Sequence, residues 1–176
     1  LFRFLEKRRG RLDGVVITGG EPTIQPGLAA FMERLREMGY LVKLDTNGSR
    51  PDVMRDILGR GLADYVAMDV KAPPDKYAEV AGTLVNLTAI AESIDVIRGA
   101  GVPYEFRTTY VPSLLSPDDI LAVARMIRGA AVYVLQGFVP SKHVDGSFSG
   151  RPRPPVEALE RLAEACRAYV GRCVVR

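Results

Sequence analysis

The sequence contains no tryptophan, a single histidine and only two cysteines. Cys166 and Cys173 are separated by six residues, a spacing that matches no common metal-binding motif. Two cysteines near the end of a chain of this length also do not make the framework of a disulfide-built secreted domain. We therefore expect two buried thiols, one on a helix and one on the strand after it, in a protein of the reducing cytoplasm.

Long apolar runs and charge of one sign are missing as well. No segment approaches the ~20 consecutive apolar residues that a membrane span requires, so no membrane partner is expected. The net charge is only +3, and no basic stripe with interleaved aromatics suggests nucleic-acid binding. Apolar residues make up 47% of the 176 residues, which is typical of a globular protein with a sizeable core. We predict one domain over residues 1–176.

Strand-like and helix-like patterns alternate along the chain. Residues 14–19 are apolar and β-branched, as in a strand buried on both faces, and the segments between strands have helical spacing. The opening residues 1–11 resemble the last turns of an amphipathic helix, whereas residues 71–83 and the loop 141–155 show no regular pattern. The further predicted strands are 40–46, 63–70, 102–111, 130–139 and 172–176, and the predicted helices are 26–39, 51–61, 86–101, 116–129 and 156–171.

This repeat predicts an α/β fold with a parallel sheet and right-handed crossovers, either doubly wound or a full or partial barrel. In all of these folds the chemistry lies at the C-terminal ends of the strands. Polar residues stand at five predicted strand ends, namely 18–22, 45–48, 69–71, Arg107 with Thr109, and 136–138. Each has a structural explanation, such as a tight turn or an Arg107 ion pair with Asp69 or Glu105. Their joint occurrence favours a ligand site.

Three stretches together resemble one family. VVITGGEPTIQPGL, LVKLDTNG and YVAMDVKAP resemble radical S-adenosylmethionine (SAM) enzymes, and above all the activating proteins of anaerobic ribonucleoside-triphosphate reductase, a glycyl radical enzyme. GGEP alone is moderately specific, whereas the three motifs at successive strand ends are highly specific. The resemblance covers nearly the whole chain and implies a partial (β/α)6 barrel.

The resemblance also implies where SAM binds. Gly19, Gly20 and Glu21 would receive the methionine amino group, since glycine allows close backbone approach and a carboxylate complements an ammonium. Lys71 and Arg107 would hold the carboxylate or ribose side. The implied cofactor-binding residues are Gly19, Gly20, Glu21, Pro22, Asp45, Thr46, Asn47, Lys71, Arg107 and, on the adenosine side, Gln136. Asp45, Thr46 and Asp69 also resemble a monovalent-cation site found in some relatives.

One part of the family pattern is absent from this sequence. The family holds a [4Fe–4S] cluster on a C-x3-C-x2-C loop after its first strand, and the resemblance places that loop ahead of the opening helix. Cys166 and Cys173 are too few for it and differently spaced. We therefore expect a barrel that lacks its first strand and cluster loop, a cluster in the full-length protein only, and an inactive chain when alone.

In the complete enzyme, the resemblance implies reductive cleavage of SAM to methionine and a 5′-deoxyadenosyl radical. A flavodoxin- or ferredoxin-type donor would supply the electron, and the radical would take hydrogen from a glycine of the partner reductase. The radical chemistry belongs to the cofactor, so no catalytic acid or base is expected from the side chains.

Three other interpretations stay open at this point. The chain could act on a small molecule of the pterin or deazapurine type, with the loop 141–155 and His143 making the difference. It could be a cluster-free, non-catalytic domain that binds SAM or a nucleotide. An aldolase- or isomerase-like barrel would need a Schiff-base lysine such as Lys71, but the GGEP and TNG motifs would then have no role.

Overall fold

The computed structural model describes residues 1–140, 148, 150–151 and 153–176, and within them six parallel strands alternate with helices, as predicted. No described helix is long and apolar enough to cross a membrane. His143 and most of the loop 141–155 lie outside the described residues. The strands are β1 Gly14–Ile17, β2 Leu41–Thr46, β3 Tyr65–Asp69, β4 Tyr104–Tyr110, β5 Val132–Gly137 and β6 Arg172–Val175. The helices are α1 Phe2–Glu6, α2 Leu28–Glu37, α3 Pro51–Gly59, α4 Tyr77–Ala81, α5 Leu87–Gly99, α6 Pro117–Met126 and α7 Val156–Cys166.

The chain divides into two compact units, and the first comprises Leu1–Asp69 and Asn86–Tyr104. In it β1, β2 and β3 pair in parallel, with Leu44 beside Ile17 and Val66. Alternate side chains of β2 are buried, where α2 packs on this strand, and α3 packs on α5. No residue of β1 is buried and Val16 is 53% exposed, so the prediction that this first strand is buried on both faces was wrong. Because side chains alternate between the two faces of a strand, Lys43 and Asp45 of β2 lie on the other face. The fully buried strand residues of this unit are Val42, Leu44, Val66, Ala67 and Met68.

The second unit comprises Val70–Val85 and Glu105–Arg176. Here β4, β5 and β6 pair in parallel, with Tyr133 beside Phe106 and Cys173. Helix α7 packs on β5, on β6 and on α6. The core of this unit is mainly apolar, and its buried polar side chains include Glu105 and Thr108. Its apolar members include Phe106, Leu115, Ile120, Val123, Tyr133, Leu135, Leu159 and Cys166. The prediction that both units form a single domain stays a prediction.

The segment 71–83, predicted to lack regular structure, contains the short helix α4, so this prediction was wrong in part. Tyr77, its first residue, is only 2% exposed, and Gly82 ends the helix in the left-handed conformation. A five-residue helix is not stable through its own propensity. Burial of Tyr77 therefore stabilises α4. Local sequence patterns do not reveal this burial.

Helix α6 begins with a side-chain cap. The Ser116 hydroxyl accepts a hydrogen bond from the Asp119 N–H, and the Asp119 carboxylate accepts from the Ser116 N–H, which makes a capping box. Burial raises the pKa of the Asp119 carboxyl, but its bonds to Lys76 and Ser116 outweigh this, and the pKa lies below its ordinary value. Lys76 Nζ donates to Asp119 at 2.7 Å, so the cap also joins α6 to the segment before α4.

Removal of this cap gives a direct test of the helix start. We expect Ser116→Ala to lower the free energy of unfolding by about 1 kcal/mol, because one amide at the start of α6 loses its acceptor. Urea denaturation followed by circular dichroism measures the change. Asp118→Asn is the matched control, since Asp118 lies in the same first turn but outside the capping box. An equal loss in both variants would contradict the assignment to the cap.

Candidate functional site

The loop after β1 presents bare backbone at the end of the strand. Gly19 and Gly20 have φ angles of +99° and +53°, which glycine adopts without strain. Both residues and Thr18 are exposed, and a Cβ on either glycine would meet no atom within 4 Å. Among the described residues no backbone N–H donates to the carbonyls of residues 18–20. These carbonyls can therefore accept hydrogen bonds from a cationic ligand.

Glu21 connects that loop to the end of β2. The side chain is buried, and its Oε1 accepts hydrogen bonds from Thr23 N at 3.1 Å, Thr23 Oγ1 at 2.5 Å and Thr46 Oγ1 at 2.8 Å. Its Oε2 accepts from Asn47 N at 2.5 Å. A carboxylate has about four acceptor positions, two on each oxygen. Three of the four hydrogen bonds fall on Oε1 and only one on Oε2, so Oε2 can accept one more bond from a donor such as the ammonium group of a ligand.

The geometry gives Glu21 a structural role that the sequence did not reveal. The glutamate was predicted to receive the amino group of SAM, and its Oε2 has room for one such bond. Its other hydrogen bonds fix the loop after β1 to Thr46 and Asn47 of a neighbouring strand end. These partners lie 25 and 26 residues away along the chain. Pro22 is buried at the start of a 3-10 turn, Pro22–Ile24, for which Glu21 is the N-cap.

The strand-end residues of β2 and β3 divide between two faces of the sheet. Asp45 pairs in register with Ala67, so Asp45 and Asp69 lie on the same face. The Asp45 side chain is 16% exposed, with Oδ1 at 3.5 Å from Lys43 Nζ. Thr46 lies on the opposite face, where its hydroxyl donates to Glu21. The structure thus brings the two carboxylates of the predicted cation site to one face without the Thr46 hydroxyl.

Asn47 and Gly48 form a turn that is held by several hydrogen bonds. The Asn47 side chain accepts from Ser49 N at 2.9 Å, while the Gly48 N–H donates to Thr46 Oγ1 at 3.1 Å. The Gly48 carbonyl accepts from Ser93 Oγ of α5 at 2.7 Å. Gly48 has a φ of +75°, and a Cβ there would lie 2.1 Å from Met68 Cε. Glycine adopts this φ without strain, and any larger residue would also require the Met68 side chain to move.

In the second unit Lys71 and Gln136 stand at strand ends, whereas Arg107 lies in the middle of β4, so its predicted place at a strand end was wrong. Lys71 lies two residues after β3, and its backbone N–H donates to the Tyr77 hydroxyl at 3.3 Å. Gln136 pairs in register with Thr109, which puts Gln136 and Arg107 on the same face of the β4–β5 pair. Glu105, considered above as a partner of Arg107, forms two hydrogen bonds with Arg176 at 2.9 and 2.8 Å.

The two cysteines face each other inside the second unit. Both are free thiols that are at most 1% exposed, as the sequence predicts for a helix and the strand after it. A hydrogen bond with Cys166 and burial together raise the pKa of the Cys173 thiol. The described residues contain no group of three or more His, Cys, Asp or Glu side chains that could hold a metal ion. Within that part of the chain there is no ligand set for an iron–sulfur cluster.

Comparison with known proteins shows which family this chain resembles. Residues 1–127 match the Radical SAM superfamily. The chain is 35% identical over 170 residues to a protein of Methanocaldococcus jannaschii named as a glycyl-radical enzyme activating enzyme, a match covering 93% of this chain and 70% of that protein. It is 33% identical over 169 residues to a 7-carboxy-7-deazaguanine synthase of Thermococcus kodakarensis, again over 93% of this chain but 58% of that protein.

A solved structure supports the fold. A domain of a pyruvate-formate lyase-activating enzyme from Bacteroides vulgatus superposes with a TM-score of 0.72 at 18% identity, over 93% of this chain and 98% of that one. This likeness confirms the predicted α/β architecture, in which parallel strands alternate with helices as in the partial barrel of this family. At such low identity it carries no argument about substrate or partner.

Proposed function

The chain belongs to the radical SAM superfamily, and we propose that it is the SAM-binding part of an activating enzyme for anaerobic ribonucleoside-triphosphate reductase. In the full-length enzyme, radical chemistry on SAM would install a glycyl radical on that partner. The observation that carries the proposal is the conjunction of Gly19–Gly20 backbone, Glu21 and strand-end polar residues. The relative named as a glycyl-radical enzyme activating enzyme supports the class of partner.

The residues of the first unit fit the amino-acid end of SAM. The exposed carbonyls at Gly19 and Gly20 and the remaining acceptor position of Glu21 Oε2 match the three N–H bonds of an ammonium group. Asp45 adds negative charge on the neighbouring strand, and Lys43 at 3.5 Å balances part of it. In the second unit Lys71, Arg107 and Gln136 would hold the carboxylate, ribose and adenine groups, since guanidinium and ammonium groups complement anionic oxygens.

The described residues do not fit an iron–sulfur cluster in the way that they fit SAM. Such a cluster needs thiolate ligands, whereas Cys166 and Cys173 are buried together in the second unit. We therefore propose that cysteines beyond these 176 residues hold the cluster in the full-length protein, where a flavodoxin- or ferredoxin-type protein would reduce it. The cytoplasm is the proposed location, since both thiols are free.

The identity of the partner can be tested by electron paramagnetic resonance. The full-length protein, reconstituted with iron and sulfide without oxygen, is incubated with SAM, a reductant and the anaerobic ribonucleotide reductase of the same organism. We expect the doublet of a glycyl radical on the reductase. Formation of that signal on a different glycyl radical enzyme, with none on the reductase, would contradict the proposed partner but leave the class of activity intact.

A second function is favoured by one specific observation. The chain is 33% identical to a 7-carboxy-7-deazaguanine synthase, a fraction close to that for the activating enzyme. This supports a radical SAM enzyme that acts on a small pterin or deazapurine molecule. With a tetrahydropterin substrate in place of the reductase, formation of a deazapurine product would establish this second function. A cluster-free domain that only binds SAM or a nucleotide would give neither product nor glycyl radical.

A further inference from the structure

Lys71 follows β3 through a peptide bond whose two polar groups are held by side chains. The Val70 carbonyl accepts a hydrogen bond from Thr108 Oγ1 at 2.6 Å, and the Lys71 N–H donates to the Tyr77 hydroxyl at 3.3 Å. The Val70 N–H donates to the Arg107 carbonyl at 2.8 Å. At a strand end, peptide groups are commonly bonded to backbone or water. Here hydroxyl groups determine the orientation of this peptide.

A third hydroxyl group supports the first two. Tyr133 Oη donates to Thr108 Oγ1 at 2.9 Å, so the Thr108 hydroxyl directs its own proton to Val70. Burial raises the pKa of Tyr133 far above its ordinary value, which keeps this hydroxyl a donor at all physiological pH values. A chain of hydroxyl groups polarised in one direction strengthens each bond. Tyr77, Thr108 and Tyr133 are 2%, 1% and 0% exposed, so water does not replace them.

From this geometry we propose that Tyr77, Thr108 and Tyr133 form a hydroxyl clamp that positions Lys71 for cofactor binding. Tyr77 and Thr108 bond to the peptide 70–71, and Tyr133 bonds to Thr108, so all three are positioning residues that act through Lys71. The proposal rests on the proposed function, in which Lys71 holds an anionic group of SAM. A clamped peptide fixes where the lysine side chain starts, and pre-organisation of this kind reduces the entropy lost on binding.

A double-mutant cycle tests whether the clamp acts through Lys71. The dissociation constant of SAM is measured by calorimetry for the wild-type chain, Thr108→Val, Lys71→Ala and the double variant, at a temperature where all are folded. Valine has the shape of threonine without the hydroxyl. We expect Thr108→Val to raise the dissociation constant roughly tenfold, equivalent to about 1.4 kcal/mol, and the double variant to bind like Lys71→Ala alone. Additive effects, or wild-type affinity in Thr108→Val, would overturn the proposal.

Two further variants separate positioning from general stability. Thr108→Ser keeps the hydroxyl and is expected to restore affinity close to that of the wild type. Tyr40→Phe is the matched control, because Tyr40 is buried and its hydroxyl donates to the Leu5 carbonyl at 2.6 Å in the first unit. It should lower stability without changing the dissociation constant. A loss of affinity in Tyr40→Phe equal to that in Thr108→Val would overturn a specific role for the clamp.

The clamp can also be tested without any cofactor. Amide hydrogen exchange of Lys71, measured by nuclear magnetic resonance, reports how firmly its N–H is held. We expect Tyr77→Phe to accelerate this exchange at least about tenfold while Tyr40→Phe leaves it unchanged. Unchanged exchange in Tyr77→Phe would overturn the clamp itself. If exchange accelerates but Lys71→Ala binds SAM like the wild type, the clamp stands as a structural feature, and the assigned role of Lys71 and the positioning proposal both fail.

Discussion

The Glu21→Gln variant is expected to lose about 2 kcal/mol of unfolding free energy and most of its affinity for SAM. The carboxylate accepts from Thr23 N on one oxygen and from Asn47 N on the other. A glutamine amide has only one oxygen, so in either orientation one of these backbone N–H groups faces an NH2 group. The substitution also removes the negative charge that would complement the ammonium of SAM. Urea denaturation and calorimetric titration measure the two losses separately.

Glu37→Gln serves as the matched control for this variant. The Glu37 side chain is 63% exposed and pairs with Arg34 on the surface of α2, and exposed ion pairs contribute little to stability. We expect nearly unchanged stability and unchanged SAM affinity. If Glu21→Gln were as stable as Glu37→Gln, the hydrogen bonds that join the two strand ends would not stabilise the fold. Normal stability with lost SAM affinity would leave Glu21 as a ligand contact alone.

The Gly48→Ala variant is expected to lose about 3 kcal/mol of unfolding free energy. A left-handed φ of +75° costs an alanine roughly 1–2 kcal/mol. The added methyl group would also lie 2.1 Å from Met68 Cε, and overpacking of a core costs roughly 1–3 kcal/mol. Movement of the flexible Met68 end relieves part of this contact. The same urea denaturation, with the native-state spectrum recorded, gives the total.

Gly61→Ala separates the two contributions in this prediction. Gly61 also has a left-handed φ, of +62°, but a Cβ there would meet no atom within 4 Å. It should lose only about 1 kcal/mol, the conformational part. The difference between the two variants then measures the packing of the turn against Met68. Equal losses would show that the turn has space for a side chain, contrary to the structure.

The alternation of strands and helices was predictable from the sequence because local residue patterns indicate where each helix begins. Pro51 is the first residue of α3, Ser116 caps α6 and Asn86 caps α5, and these residue types are common at helix starts. Strand boundaries moved inward by one or two residues in most cases, since the last apolar residues of a run are not always paired. Helix α4 was not predicted because burial of Tyr77 stabilises it, and burial depends on residues distant in sequence.

The positions of the candidate site residues were predictable from the sequence, but the hydrogen bonds that join them were not. Most of the predicted residues fall at strand ends because the topology places them there, whereas Arg107 lies in the middle of β4. Period-two alternation separates Asp45 from Thr46. That alternation was available in the sequence, and it argues against side-chain ligands from both residues in one cation site. The bonds from Thr46 and Asn47 to Glu21 were not available, since they join residues about 25 positions apart. The Thr108–Tyr133 pair of the hydroxyl clamp was hidden for the same reason.

The central claim is that these 176 residues contribute the SAM-binding residues of a radical SAM enzyme. Calorimetric titration of SAM into the purified chain tests it most directly. We predict saturable binding of one SAM per chain, lost in Glu21→Gln and retained in Glu37→Gln. Absence of saturable binding up to about 1 mM, which corresponds to about −4 kcal/mol, would contradict the claim. So would equal affinity in the wild type and Glu21→Gln.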